Sequence, residues 1–472
     1  MGNASLEFIA YGLAVAVLFH AAPASFWRKI VLVAASLFFL ATFSRGIVSF
    51  IPFAIFVLFG YAGFLLIRKA PERWFAPVVI TTLVLFFWFK KYAFVPSGAF
   101  LTFPYLMLGM SYILFRMLHL MIQERYDPLT VPIDLTRYLC YTCNFLTLVS
   151  GPIQRYDEFI GQLDAAGWIH VPVTSVGESV ERIIRGYFKA AVLALVFSSM
   201  QASALASGAH SVWDGVVIFG SYPLFLYCNF SGYIDIVIGI SSLMGIRLPE
   251  NFDRPFSCDS FIGFWSRWHI TLSEWLRSYV YTPLLMGLMR RYPAPALQNT
   301  WAILAFFVTF FLIGVWHGQT AAFLFFGFLQ GLGVSVNKLF QVRMGAWLGT
   351  KRYKALSREP VYVMLGRGLT FTYFAFTLAW FWADWAEIAK LERSFGWREL
   401  AMVWLVIFVA ATIILAVWEK ARTALLGIEL KGTSVILSRY WRTAWDTGLA
   451  MIAGGVTLLS NQPAPDIVYK AF

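Results

Sequence analysis

Residues 301–337 read WAILAFFVTFFLIGVWHGQTAAFLFFGFLQGLGVSVN, two apolar stretches, 301–316 and 319–337, that meet at Trp316-His317-Gly318. Arg290 and Arg291 precede them, and a basic run starting at Lys338 follows. Loops rich in Lys and Arg stay on the cytoplasmic side of a membrane, so both flanks face one side and the stretch folds as a helical hairpin. Each arm of about 16 to 18 residues rises roughly 25 Å, short of the about 30 Å hydrocarbon core, which sets the bend at depth. His317 is therefore expected inside the membrane. An ionisable side chain there is costly to hold and is a functional candidate by default; a satisfied structural histidine is the competing reading.

The rest of the 472 residues shares this character. Charged residues make up 13% where a soluble protein has about 25%, and apolar residues reach 59%, which excludes an ordinary cytosolic enzyme. Lys and Arg number 37 against 25 Asp and Glu, a formal net charge of +12. The basic residues lie between apolar runs, so the excess records topology, and no nucleic-acid partner is expected. The stretch 338–367, with Arg343, Lys351, Arg352, Lys354, Arg358 and Arg367 against Glu359, belongs in the cytoplasm. Alternation then places the 384–399 loop outside, the basic 419–442 loop inside and the tail 461–472 outside. Apolar runs near the length of a span recur from 6–22 onward, among them 101–122, 138–152, 213–228 and 229–246. The fold class is all-α: one polytopic integral membrane domain, 1–472, with 11–13 transmembrane helices and interfacial helices. The 6–22 segment lacks a basic leader and reads as a first span rather than a signal peptide.

Against this background a few polar residues stand out. Between Phe264 and Arg277 the spacing predicts an amphipathic helix in the membrane interface. Its polar stripe is Arg267, Thr271, Glu274 and Ser278, and His269 shares the apolar stripe with Trp265, Leu272 and Leu276. Ser257, Asp259 or Ser260 can cap it, and its tryptophans with Tyr279 and Tyr281 suit the headgroup boundary. Asp235, inside the apolar run that follows Asn229, must be paired, protonated or turned to a water-filled cavity. Arg116, His119 and the stretch Ser150 to Arg155 are lesser polar points, and His20, His170 and His210 read as surface or loop residues. Cys140 and Cys143 spell C-x-x-C inside an apolar stretch and read as buried hydrophobes one helical turn apart; no metal site is expected. Phosphate-cradling, zinc-protease and nucleophile-elbow motifs are missing, so any reaction uses an already activated donor or a gradient.

Three segments in combination, Pro249-Glu250-Asn251-Phe252-Asp253-Arg254-Pro255-Phe256, then Phe264-Trp265-Ser266-Arg267-Trp268-His269-Ile270-Thr271-Leu272-Ser273, then Gly314-Val315-Trp316-His317-Gly318, resemble the membrane-bound O-acyltransferases. The similar branch holds the alginate O-acetylase and the teichoic-acid D-alanyl transferase. Gly151-Pro152-Ile153-Gln154-Arg155-Tyr156, Asn229-Phe230-Ser231-Gly232-Tyr233-Ile234-Asp235 and Leu378-Ala379-Trp380-Phe381-Trp382 extend the likeness over a core of about 105–385.

The resemblance implies His317 as the catalytic residue and His269 as the second residue tied to activity, both in a central tunnel between a cytoplasmic donor entrance and an acceptor across the membrane. It nominates Asn229, Asp235, Arg267, Trp268, Trp316 and Arg155 for substrate binding. It also implies acetyl-CoA as donor substrate with no bound cofactor, and a bacterial inner-membrane location. Arg267, Arg277, Arg290 and Arg291 are candidates to meet the donor's phosphates, although topology alone would also place them at the cytoplasmic face. His317 would serve as general base and His269 would orient or polarise the acyl carbonyl. The acceptor is a serine of a periplasmic acyltransferase partner or a sugar hydroxyl of an exported polysaccharide such as alginate or cellulose, handled by a synthesis and secretion complex. The chain departs from the family pattern at Glu274 and Ser278, and at Phe381-Trp382-Ala383-Asp384, where an arginine is lost. Competing expectations are D-alanyl transfer from a carrier protein, and a proton-coupled transporter or flippase using Asp235, His269 and His317 as a relay, although no inverted repeat supports it.

Overall fold

The computed structural model describes residues 5–44, 46–208, 211–430, 433, 434, 436, 438–460 and 465. His210 and all of the tail 461–472 except Pro465 lie outside the described residues. In chain order the helices are α1 (Leu6–Phe19), α2 (Ser25–Ala41), α3 (Ile47–Lys69), α4 (Pro71–Phe89), α5 (Met110–Tyr126), α6 (Leu135–Thr142), α7 (Tyr156–Leu163), α8 (Val173–Phe188), α9 (Ala194–Ala206) and α10 (Val212–Leu243). Then come α11 (Phe261–Trp265), α12 (Ile270–Leu276), α13 (Thr282–Arg291), α14 (Gln298–His317), α15 (Ala321–Leu348), α16 (Thr350–Leu356), α17 (Pro360–Thr377), α18 (Ala379–Trp382), α19 (Trp385–Leu426) and α20 (Arg439–Ser460). A two-residue antiparallel ladder, Glu429–Leu430 with Thr433–Ser434, is a small exception to an all-helical chain.

Among the described residues eight helices are long and apolar enough to cross a membrane, and α1 is a shorter apolar helix. This multi-pass architecture has fewer long helices than the apolar runs suggested, for local reasons. The runs 213–228 and 229–246 fuse into the single helix α10. The run 138–152 holds only the end of α6, after which the chain leaves the helix at Cys143. The run 101–122 enters its helix late, at Met110, behind Pro104 and behind Gly109 in the left-handed region at φ 75°. The 384–399 stretch, read as a loop, is helical from Trp385. Asp384 accepts from the Glu387 N–H at 2.8 Å while Glu387 accepts from the Asp384 N–H at 2.9 Å, a reciprocal cap that starts α19. Gly396, at φ 68°, breaks that helix in two.

The chain divides into two compact units, Met1–Val192 with Asn229–Pro249 and Leu449–Phe472, and Leu193–Cys228 with Glu250–Gly448. In the first, Phe8 packs on Phe39, Phe145 and Tyr233 at centroid distances of 5.7, 6.3 and 6.1 Å. The buried Arg28 closes the turn after α7 by donating to Ala165 O at 2.7 Å and Gly167 O at 2.8 Å. A Cβ on Gly186 would lie 2.6 Å from Gly232 O, so α8 and α10 touch backbone to backbone. In the second unit, Phe371, Ala375 and Ala379 face Val403, Ile407 and Ala411 in a core that also takes in Ile218 and Phe219 of α10.

Candidate active site

The hairpin expected from residues 301–337 is α14 followed by α15, with the turn after His317. Glycine makes it tight. A Cβ on Gly314 would fall 2.3 Å from Phe323 O and 2.4 Å from Gly327 Cα, and one on Gly327 would fall 2.4 Å from Phe311 O. Any larger residue at either position forces the arms apart, since neither obstacle is a flexible side chain. Gly318 is extended, and its constraint is space: a Cβ there would overlap the Phe323 ring at 2.0 Å.

His317 ends α14 and is 3% exposed. Its ring meets Trp316 at 4.5 Å, Phe381 at 5.0 Å and Phe326 at 5.9 Å, so its immediate ring contacts are aromatic. Trp316 also meets His269 at 6.2 Å, and one indole thus touches both histidines.

The segment holding His269 differs from its reading as one amphipathic helix. It is broken: α11 ends at Trp265 and α12 begins at Ile270, with His269 between them in the left-handed conformation at φ 47°, ψ 53°. Backbone pairing explains the break. Asp253 N–H donates to Arg267 O and Ile270 N–H to Asn251 O, each at 3.0 Å, so the extended Asn251-Phe252-Asp253 strip holds residues 267–270 out of the helix. Ser260 is the cap that α11 uses, accepting from Gly263 N–H. The polar stripe dissolves, because Thr271 is buried. Trp265, Trp268 and Trp275 are also buried within the protein; Trp268 stacks on Phe264 at 5.5 Å and meets Phe374 edge-on at 5.2 Å.

Asn251 sets the state of His269. Its Oδ1 accepts from Thr271 N–H at 3.1 Å, from Thr271 Oγ1 at 2.9 Å, and lies 3.2 Å from His269 Nδ1. A backbone N–H only donates, so the atom facing Thr271 is the oxygen, and His269 Nδ1 must carry the proton. Nε2 is left as the acceptor nitrogen. Burial pushes the His269 imidazole down to about 3, so it is neutral at physiological pH. Sequence reasoning assigned no role to Asn251, although the residue stands inside a quoted motif; nothing in its local spacing says that it reaches 18 residues ahead.

Beside these residues lies a cavity of about 220 Å³. Ile270 and Ser273 of the His269 segment line it, as does Ile313, one turn before His317. Glu274 and Arg277 add charge, and Trp265, also in the wall, has a buried Nε1–H with no acceptor among the described residues. Arg267 is half-buried next to this wall.

The remaining nominated residues belong to the first unit. Asp235 is paired, accepting from Arg182 at 3.0 Å and from Lys189 Nζ, which fulfils one of its three expected fates. Asn229 is fully buried and donates to Pro465 O at 3.1 Å. Arg155 is exposed ahead of α7. Arg116 donates to Thr142 O at 2.9 Å and Thr147 O at 2.7 Å, while His119 Nε2 accepts from Tyr156 N–H at 3.3 Å, both ties within the fold. His20 Nε2 lies 2.8 Å from Leu243 O, and His170 is exposed.

Residues 112–376 match the membrane-bound O-acyltransferase family, more than half of the 472 residues. The teichoic acid D-alanyltransferase of Bacillus subtilis is 25% identical over 344 residues, 70% of this chain and 84% of the relative. That of Streptococcus thermophilus is 31% identical over 52% of this chain and 58% of its own. The probable alginate O-acetylase AlgI of Pseudomonas aeruginosa is 27% identical over 58% of this chain and 53% of its own. The chain thus spans little more than half the length of the latter two.

Proposed function

Because the chain belongs to the membrane-bound O-acyltransferase family, we propose that it passes an acetyl group from cytoplasmic acetyl-CoA to a hydroxyl acceptor across the bacterial inner membrane, for O-acetylation of an exported polysaccharide through a periplasmic partner. That this multi-pass membrane protein is an acyltransferase is the premise; donor, acceptor and partner are the proposal. The observation that carries it is the contact of one indole, Trp316, with both His317 and a His269 whose tautomer Asn251 fixes.

The steps follow from that geometry. His317 takes the proton of the acceptor hydroxyl as its oxygen attacks the thioester carbonyl carbon; the C–S bond breaks, and the proton passes to the departing CoA sulfur. Neutral imidazole suits this role, because its ordinary pKa is near 6.5. His269 Nε2 bears a lone pair and no hydrogen, so it accepts a hydrogen bond from a substrate N–H or O–H. Of the two roles expected for it, orienting or polarising the acyl carbonyl, the second would need the other tautomer. The cavity beside α12 suits the donor's arm: Trp265 Nε1–H offers a donor to an amide carbonyl, and Arg277 is available to a phosphate. Aromatic walls exclude water and spare the thioester from hydrolysis.

D-alanyl transfer from a carrier protein is the second reading, favoured by the alignment that spans 84% of the Bacillus subtilis relative. Purified full-length protein given labelled acetyl-CoA in one arm and a D-alanyl carrier thioester in the other separates the two. Label on the acceptor from acetyl-CoA alone supports acetyl transfer; label from the carrier alone overturns it.

A further inference from the structure

A second concave site lies in the same unit, at the ends of α17 and α19, lined by residues to which the transfer reaction assigns no role. The two helices cross where Gly368 meets Thr412: a Cβ on Gly368 would fall 2.0 Å from Thr412 Oγ1 and 3.0 Å from Phe408 O. Toward the start of α17, the small side chains Ala416, Thr423 and Ala424 of α19 leave room beside its longer Glu419 and Lys420. The result is a cleft of about 640 Å³, within the roughly 300–1,000 Å³ of small-molecule sites.

Its lining has two characters. Pro360, Val363, Met364 and Ala416 form an apolar wall, while Arg358, Arg367 and Lys420 bring positive charge to the rim. Arg358 and Lys420 are exposed, and their side chains make no ion pair among the described residues. The one carboxylate in the lining, Glu419, is engaged elsewhere: it meets Ser257 Oγ, and Arg422 lies 3.9 Å from it. Arg367 Nε donates to Ser257 O at 2.9 Å, so the cleft floor rests on the loop that begins at Asn251. Val361 is 67% exposed and Val417 59%, apolar surface beside the charged rim that suits acyl chains. Trp418, 61% exposed, stands two residues from Lys420, where an indole marks the level of lipid headgroups.

We propose that this cleft binds one anionic phospholipid of the cytoplasmic leaflet, with its phosphate between Arg358 and Lys420 and its acyl chains along Val361 and Val417. Basic pockets between the cytoplasmic ends of membrane helices select such headgroups over zwitterionic ones, because a choline would set a like charge against the rim. The occupant is a lipid rather than free phosphate, since the apolar wall and the exposed valines have no use for an inorganic ion.

Native mass spectrometry of the detergent-solubilised full chain, titrated with phosphatidylglycerol or with phosphatidylcholine of equal chain length, tests this. Phosphatidylglycerol is expected to be retained preferentially. Each basic side chain near the surface is worth about fivefold, so Arg358→Gln with Lys420→Gln should weaken retention by roughly tenfold or more. The pair Lys351→Gln and Arg352→Gln, on α16 and outside the cleft, should leave it unchanged. Ala424→Trp fills the cleft without altering charge and should also abolish the preference, which covers the case of a poorly folded double variant. Equal retention of both lipids, an unaffected double variant, or full displacement of the lipid by millimolar inorganic phosphate would overturn the assignment.

Discussion

The two histidines are held by opposite means. His317 sits at the end of a regular helix, placed by the glycine contact of α14 with α15 and enclosed by aromatic rings. His269 sits outside any helix, in a left-handed conformation that is uncommon for a residue with a Cβ, and Asn251 holds it by hydrogen bonds. One position depends on packing, the other on polar bonds and local strain. The difference teaches which substitutions separate chemistry from architecture: at His317 the side chain can go while the helix stays, whereas at His269 the backbone itself must be satisfied.

The largest effect is expected at His317. His317→Ala removes a proton acceptor and leaves the Gly314–Gly327 contact intact, so acyl transfer should fall by about 10²–10⁴-fold while membrane insertion and thermal stability stay near wild type. Labelled acyl transfer by the purified variant is the measurement; turnover within a factor of a few of wild type would remove His317 from the chemistry. His269→Asn sharpens the contrast. Asparagine tolerates the left-handed region, and its amide N–H reaches toward Asn251 much as Nδ1 does, so this variant should fold normally yet lack the Nε2 acceptor. His269→Val has no such tolerance and should lose stability as well, by about 1–3 kcal/mol.

Next in size is Asn251. Asn251→Ala removes the buried acceptor that Thr271 and His269 share, at a cost of about 1–3 kcal/mol, and frees the imidazole to change tautomer. Asn251→Asp keeps the acceptor but adds a negative charge, which favours protonated His269 and raises its pKa. If neutral Nε2 is required, the acid limb of the activity profile moves to higher pH in this variant. A superimposable profile would mean that His269 acts only in packing.

How much of this was legible in the sequence follows the same division. The α14–α15 hairpin could be read from apolar length and the basic residues at its two ends, because helix formation in a membrane depends on composition over about 20 residues. The break at His269 could not. Residues 264–277 carry helical spacing throughout, and what interrupts them is pairing with residues 251–253, a long-range contact that local periodicity does not encode. For Asp235 the sequence leaves pairing, protonation and a water-filled cavity open; pairing is what is found, and its partners Arg182 and Lys189 come from a segment that spacing alone does not name. The separate runs 213–228 and 229–246 failed as a pair of spans because Asn229 does not stop a helix; its polar group is buried and satisfied instead.

Packing at the bend gives a smaller, measurable effect. Gly318→Ala places a methyl group against the Phe323 ring, and the ring belongs to a side chain that can move. Overpacking of this kind costs about 1–3 kcal/mol, seen as a lowered Tm. Phe323→Ala in the same chain opens the space, so the double variant should recover part of the stability lost by Gly318→Ala alone, a coupling of about 0.5–3 kcal/mol. Strict additivity would show that Gly318 is there for another reason. Gly314→Ala has no such rescue, because its obstacles are Phe323 O and the Gly327 backbone.

The smallest effect concerns pH. His269 is neutral in the folded protein with its pKa depressed to about 3, whereas in the unfolded chain it titrates near 6.5. Below that value the unfolded state gains a proton that the folded state refuses, so the contribution of this residue is fully present above pH 6.5 and is lost as pH falls toward 3. Between about pH 7.5 and about pH 5.5 the loss amounts to only about 1 kcal/mol, on the order of one pKa unit. It is read as the difference between wild type and His269→Asn in thermal unfolding across that window, since asparagine carries no proton to gain and the other titrating groups cancel. Wild type should lose more Tm than the variant on acidification. Parallel curves would mean that water reaches His269 and that its burial, the feature separating it from an ordinary surface imidazole, is not maintained in the membrane.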